Sequence, residues 1–271
     1  MTESSYEARK RKRKLAQRRQ RRRRIRAITL IAVFAGLIFF TAAHAAGETG
    51  GGEIVKILSS EVLIEHGYPE SLAELYDRNP EAREFVLGYN NREDGAGDTD
   101  LTEEVKKGEI PLFIQWDERW GYEMYGSDFL AVTGCGPTSL SMVYCGLTGD
   151  TRWNPESLAR LAEEKGYYVD GSGSSWTMMT ELAEKIGLQA KNLTPDKSVI
   201  ISELNGGHPV ICIMGPGDFT DTGHYIVLTG VNKDGLIEIR DPSSKKNSAK
   251  AWELETIISQ AKNLWSYSCI Q

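Results

Sequence analysis

Thr133-Gly134-Cys135-Gly136-Pro137-Thr138-Ser139-Leu140 sets a cysteine between two glycines, and Leu140, Met142, Val143 and Leu147 continue it at helical spacing. Pro137 falls in the first turn, where a missing N–H is tolerated. Cys135 therefore stands at the mouth of a helix N-terminus. Unsatisfied N–H groups and the helix dipole favour an anion there, which lowers a thiol pKa. Gly134 and Gly136 allow close approach of backbone or substrate. Taken alone, the stretch also fits a buried structural cysteine in a glycine turn.

A second stretch separates these readings. Gly223-His224-Tyr225-Ile226-Val227-Leu228-Thr229-Gly230-Val231 leads through Asn232-Lys233-Asp234-Gly235 to Leu236-Ile237-Glu238-Ile239-Arg240-Asp241-Pro242. Two β-rich runs around an Asn/Asp/Gly turn spell a hairpin. With a loop of two or four residues, cross-strand partners have numbers that sum to an odd value. His224 and Asp241 meet that condition and share a face. Pairing Val231 with Leu236 sets Asp241 opposite Ile226, one diagonal from His224, roughly 7–8 Å between backbones. A carboxylate there fixes the tautomer of the imidazole and stabilises its protonated form, as the third member of a nucleophilic triad does.

These residues carry a family resemblance. Cysteine, then histidine at a strand start, then Asp-Pro after a hairpin resembles the papain-like cysteine peptidases. Within them it is most similar to the bacterial double-glycine (bacteriocin) leader peptidases and their stand-alone secreted relatives. The matching pieces are PLFIQWDERW at 111–120, GCGPTSL at 134–140, GHYIVLTGV at 223–231 and RDP at 240–242, over residues 108–271. The resemblance implies an α+β papain-like fold, a nucleophile helix packed on an antiparallel sheet. It implies Cys135 as nucleophile, His224 as general base and acid, and Asp241 as orienting residue. Papain-like enzymes usually carry an oxyanion-hole glutamine about six residues before the cysteine, and Phe129 stands there. Gln115, twenty residues upstream, takes that role by similarity to the stand-alone relatives. The other reading of Gln115 is the end of a buried strand, IPLFI, with no chemical role.

The chain has 271 residues and a formal charge of −6, which hides a split. Residues 1–26 hold thirteen Lys or Arg against two Glu, or +11, residues 27–45 hold no charge, and the remainder carries −17. Such a basic run can bind nucleic acid or anionic lipid. The adjoining apolar segment points instead to export, with no nucleic acid partner. Ala27 to Phe40 is apolar except for Thr29 and Gly36, and an Ala-x-Ala site comes next at Ala43 to Ala45. Residues 27–46 act as a cleaved signal or as a retained membrane anchor, with the basic flank cytoplasmic in both cases. The expected location is extracellular or at the cell surface.

Residues 47–107 read as a Gly-rich spacer, a small helical segment over 54–90 and a polar linker over 90–100. Tyr68-Pro69 and Asn79-Pro80 start two of its helices. The catalytic region, 108–271, is expected to contain a strand at Ile110 to Ile114, the helix from Cys135, a helix capped by Asn154, a Gly/Ser loop at 170–175, a helix with Trp176, Met179, Leu182, Ala183 and Ile186 inward, a helix over 196–205, a buried strand at Pro209 to Met214, the hairpin, a helix near Glu253 to Ala261 and a last strand at Trp265 to Ile270. His208 is a rival base without a carboxylate at hairpin range. His66 reads as a surface helix end. Cys145 and Cys212 read as core. No Cys/His spacing suggests zinc, and no cofactor motif is present.

Three functions compete: an exported cysteine peptidase acting on a peptide or protein substrate, a cell-wall peptide hydrolase or acyl transferase with the same triad, and an inactive binding module.

Overall fold

The computed structural model describes residues 59–92 and 99–270. The basic region 1–26, the apolar segment 27–46, the spacer and linker residues 93–98 lie outside the described residues. Among the described residues, no helix is long and apolar enough to cross a membrane. The chain divides into two compact units, Met1–Ala73 and Glu74–Gln271. In the first, α1 (Ser60–Glu65) ends at His66, whose exposed ring bonds Val62 O at 2.7 Å. That is the surface helix end expected of it. Helix α2 (Glu70–Arg78) comes next.

In the second unit, Asn79 Oδ1 accepts from Glu81 N at 3.0 Å and caps a 3-10 turn, Pro80–Ala82, that leads into α3 (Arg83–Gly88). A small hairpin, β1 (Met124–Tyr125) and β2 (Asp128–Phe129), feeds the short α4 (Leu130–Thr133). Then α5 (Cys135–Thr148) begins, and Gly149 ends it in a left-handed conformation, φ 76°. Every residue from Gly136 to Gly146 is buried, so α5 is central. Asn154 caps α6 (Pro155–Glu164) as expected, accepting from Ser157 N. A second small hairpin comes after it, β3 (Tyr168–Val169) and β4 (Gly173–Ser174), then a π turn at Met178–Leu182 and α7 (Ala183–Lys185).

The main sheet has five antiparallel strands in the order β5-β9-β6-β7-β8: β5 (Leu188–Leu193), β6 (Val210–Met214), β7 (His224–Val231), β8 (Ile237–Arg240) and β9 (Ala261–Cys269). Helix α8 (Lys197–Asn205) precedes β6, α9 (Lys245–Ser248) follows β8, and α10 (Leu254–Gln260) precedes β9. Both faces are covered. Ile211, Ile213, Tyr225, Val227, Trp265 and Tyr267 join the core under α5 and α6. Val210, Cys212, Met214, Ile226, Leu228 and Ile239 join a second core with Ile200 and Leu204 of α8 and Ile257 of α10. That is why VICIM reads as unbroken hydrophobic sequence in an antiparallel sheet. A helical half bearing Cys135 and a sheet half bearing His224 make the expected α+β papain-like arrangement.

Three expectations are corrected. Ile110 to Ile114 forms no strand ladder. Its backbone is held by single bonds, Arg240 Nε to Ile110 O at 3.1 Å and Gln115 N to Pro242 O at 2.8 Å. Trp176 is 49% exposed rather than inward, because the π turn starts after it and re-aims the helix face. The hairpin register also differs: Val231 lies opposite Ile237, not Leu236. Asn232 Oδ1 accepts from Asp234 N and Leu236 N, and Gly235 takes φ 79°, so the loop closes over three residues.

Gly134 answers to packing. A Cβ on it would stand 2.4 Å from Leu130 O and 2.6 Å from Leu130 Cδ2. Carbonyl and side chain both belong to α4, so α4 must shift to admit it. Gly134→Ala is expected to cost ~1–3 kcal/mol, the range for overpacking, read as a lower urea midpoint at unchanged slope.

Candidate active site

Cys135 opens α5 and is half-buried. The next residue is pressed against β4: a Cβ on Gly136 would lie 2.4 Å from Ser174 Oγ. Ser174 itself pairs with Tyr125 OH at 2.8 Å and accepts at its carbonyl from Tyr225 OH at 3.3 Å. The floor beneath Cys135 is thus fixed by buried hydroxyls. Ser139 Oγ, one helical turn on, donates to Tyr225 O at 3.4 Å and ties α5 to β7.

His224 is the first residue of β7 and is 6% exposed. Its Nε2 donates to Asp241 Oδ1 at 2.7 Å. With Nε2 so occupied, Nδ1 is the nitrogen left to face Cys135, which lies near enough for the ring to lower its thiol pKa. Asp241 has no exposed surface. Oδ1 also accepts from Ser243 N at 2.9 Å, and Oδ2 accepts from Asn247 Nδ2 at 2.8 Å. Its own N–H donates to Ser248 Oγ at 2.8 Å. Asn247 and Ser248 belong to α9, which sequence reasoning does not single out. The signal is there as Ser244 and Asn247 just after Asp-Pro, but such residues cap many turns.

The titrations come from this geometry. Burial pushes the Cys135 thiol up, but the hydrogen bond and charge of His224 oppose it. Backbone N–H groups of Tyr225 and Gly136 add to that, and the net direction is down. Burial disfavours the charged His224 ring, yet the charge and hydrogen bond of Asp241, with Cys135 beside it, raise its pKa. Burial raises the Asp241 carboxyl, but His224, Asn247 and Ser243 N bring it below the ordinary value. The other core cysteines behave oppositely. Burial pushes Cys145 up to about 12 and Cys212 higher still.

Gln115 is buried, and its Nε2 donates to Ala131 O at 2.8 Å with Val132 O at 3.5 Å. These carbonyls belong to α4, the turn that runs into Cys135. Its Oε1 is buried without a hydrogen-bond partner among the described residues. The structure therefore brings Cys135, His224 and Asp241 together and sets Gln115 on the backbone beside them. His208 stands elsewhere. Met214, the last residue of β6, pairs with His224, whereas His208 precedes the opposite end of that strand. It has its own carboxylate, Glu203, at 2.9 Å, supplied by α8 rather than by a hairpin. Among the described residues no cluster of three or more His, Cys, Asp or Glu could hold a metal.

The family model of the Peptidase_C39 like family matches residues 107–269, more than half of the chain. The chain belongs to this family. Its fold and membership are those of cysteine peptidases, whose substrates are peptides or proteins. Among solved structures, the chain is similar to the peptidase domain of Streptococcus ComA, a bi-functional ABC transporter involved in a quorum-sensing pathway. Identity there is 23%, over 51% of this chain and 93% of that one, with a TM-score of 0.39. It is similar to a C39-like peptidase from Bacillus anthracis at 19% identity, over 62% of this chain and 98% of that one, with a TM-score of 0.36. No curated protein matches the chain.

Cysteine and imidazole titrate here as a pair. Iodoacetamide is expected to label Cys135 well below pH ~8.5, where an ordinary thiol is protonated. Asp241→Asn removes the charge that favours imidazolium, so the thiolate loses stabilisation and the onset of labelling moves to higher pH. His224→Ala moves it further in the same direction. The check is a labelling rate at each pH, with the modified residue mapped by mass spectrometry.

Proposed function

We propose that this chain is an exported cysteine peptidase that hydrolyses peptide bonds through Cys135, His224 and Asp241. The observation that carries the reading is the buried 2.7 Å bond from His224 Nε2 to Asp241 Oδ1, with the other face of the ring on a thiol at a helix N-terminus. His224 Nδ1 takes the proton from Cys135 Sγ, and the thiolate attacks the scissile carbonyl carbon. The tetrahedral oxyanion is held by the Cys135 N–H and by the Gln115 amide, which keeps its bond to Ala131 O and releases the long 3.5 Å contact to Val132 O to free one N–H. The imidazolium protonates the leaving amine. Water, deprotonated by His224, then clears the thioester and frees Cys135. Asp241 stays ionised and holds the ring in the tautomer that presents Nδ1 to the thiol.

Cys135→Ala is expected to lower kcat on a susceptible peptide by ~10⁴-fold or more, the scale seen when a triad member is lost. Gln115→Ala is expected to lower kcat by ~10²–10³-fold, as for loss of one oxyanion donor, with KM little changed. A panel of peptides together with purified peptidoglycan reads both and separates a general peptidase from one that cuts wall peptides. Full activity in Cys135→Ala would end the proposal. A Gln115→Ala effect confined to KM would remove that residue from the oxyanion hole.

Export rests on the basic 1–26 and apolar 27–46 segments. The mature N-terminus of the secreted form is expected at Ala46 if the segment is a signal, or at the original start, in the membrane fraction, if it is an anchor. N-terminal mass spectrometry of each fraction decides. Uncleaved chain confined to the cytosol would overturn export.

A further inference from the structure

Asp241 is oriented by a loop, residues 242–248, and that loop is itself held by a part of the chain far away in sequence. Asn79 Nδ2 donates to Ser243 O at 2.9 Å. The N–H of the same residue, Ser243, donates to Asp241 Oδ1. Glu81 Oε1 accepts from Ser244 Oγ at 2.5 Å, and Glu81 Oε2 accepts from Lys246 N at 3.1 Å. Ser244 Oγ is also the cap of α9, accepting from Asn247 N at 3.0 Å. A hydroxyl has one proton, so donating it to Glu81 leaves a lone pair for Asn247 N–H. Asn247 Nδ2 then reaches Asp241 Oδ2. Two paths, in which hydrogen bonds alternate with the covalent frames of Ser243 and Asn247, therefore run from residues 79 and 81 to the two carboxylate oxygens.

The segment that supplies these groups is firmly seated. Ala82 and Val86 are fully buried, and Phe85 nearly so. Phe85 stacks on Tyr122 with ring centroids 4.2 Å apart, and its carbonyl accepts from Tyr122 OH at 2.5 Å. A Cβ on Gly121 would meet the Phe85 ring at 2.8 Å. Tyr89 packs edge-on against Phe129, the residue that precedes α4. The segment thus touches the Asp241 loop at one end and the strand that feeds the Cys135 turn at the other. It lies before residue 107, where the family match begins.

We propose that Asn79 and Glu81 are positioning residues that hold the 242–248 loop and through it the Asp241 carboxylate. The inference rests on the triad reading of Cys135, His224 and Asp241. Without these residues, Ser243 O keeps only its Trp116 Nε1 donor at 3.1 Å, Ser244 and Lys246 lose their carboxylate, Asp241 is aimed less tightly at His224, and Cys135 loses part of its thiolate character.

Asn79→Asp tests the effect. It keeps the Oδ1 acceptor for Glu81 N and replaces the donor to Ser243 O with a charged oxygen, so Asn79→Ser, neutral and still able to cap, is read beside it, and a shift that Asn79→Ser does not share comes from the added charge. In the full chain, Asn79→Asp and Glu81→Ala are expected to move the onset of Cys135 labelling to higher pH, as Asp241→Asn does but by less. They are expected to lower kcat ~10- to 100-fold with KM unchanged, the scale for groups that orient a reactive residue from behind. Arg83→Ala changes the same segment without touching the loop, since Arg83 Nε bonds Tyr76 O, and leaves the profile unmoved. Circular dichroism melts identify folded variants. If Asp241→Asn shifts the labelling and folded Asn79→Asp does not, the positioning role is wrong and the triad stands. If neither Asp241→Asn nor His224→Ala shifts it, the triad reading fails and this inference falls with it. Should Glu81→Ala not fold, Asn79→Asp read beside Asn79→Ser decides.

Discussion

The structure turns on a carboxylate with no exposed surface hydrogen-bonded to a histidine that is 6% exposed. Removing one partner from a buried charged pair costs ~3–5 kcal/mol, because the remaining charge is left without compensation. Asp241 is tolerated there because three donors converge on it: the imidazole N–H, a backbone N–H and an asparagine amide. The same convergence keeps it ionised. A carboxylate held in this way favours a protonated imidazole and, through it, a thiolate at Cys135. Burial opposes all three charged forms, so the network is favourable only as a whole. It is therefore understandable that the support reaches well outside the three residues themselves.

The architecture supplies what such a network needs. Helix α5 is buried through most of its length, so its N-terminus is a fixed point rather than a fraying end. The sheet is covered on both faces, and His224 begins the strand that packs directly on α5. Glycines at 134 and 136 let α4 and Ser174 close on either side of Cys135, each at a distance where a Cβ would collide. Their smallness is required by packing, since neither takes a left-handed conformation. Cys145, ten residues along the same helix, shows the contrast. It is buried without a histidine beside it, and its thiol pKa rises instead of falling.

Much of this was legible in the residues. Cys135 before a helical run, His224 at a strand start and Asp241 past a hairpin could be picked out from local pattern and family resemblance, though not by the register assumed for the hairpin. Helices capped by Asn79, Asn154 and Asp196, and the strand VICIM, also come from local chemistry. The failures have physical causes. Ile110 to Ile114 has strand composition, but no strand lies beside it to accept a ladder. Trp176 has helical spacing with Met179 and Ile186, but a π turn adds a residue and turns it outward. Asn247 and Glu81 carry no pattern that marks them, because their importance lies in contacts across six and more than one hundred and sixty residues.

The hairpin shows where sequence ends and tertiary structure begins. By itself, the sequence determined which residues are candidates for the chemistry, their order, and the turn chemistry of Asn232 to Gly235, since all of these are local. It did not determine the register. The loop closes with Val231 opposite Ile237 and Gly230 opposite Glu238, pairs that sum to 468. Continued unbroken, that register would set Asp241 opposite Val227 and turn it to the other face from His224. A register shift between Leu228 and Gly230 inserts one residue into β7, and Leu228 then pairs with Ile239 and Val227 with Arg240. One residue decides whether carboxylate and imidazole meet. That residue is placed by packing, because Leu228 and Ile239 are buried together in the second core and only the shifted register puts both there.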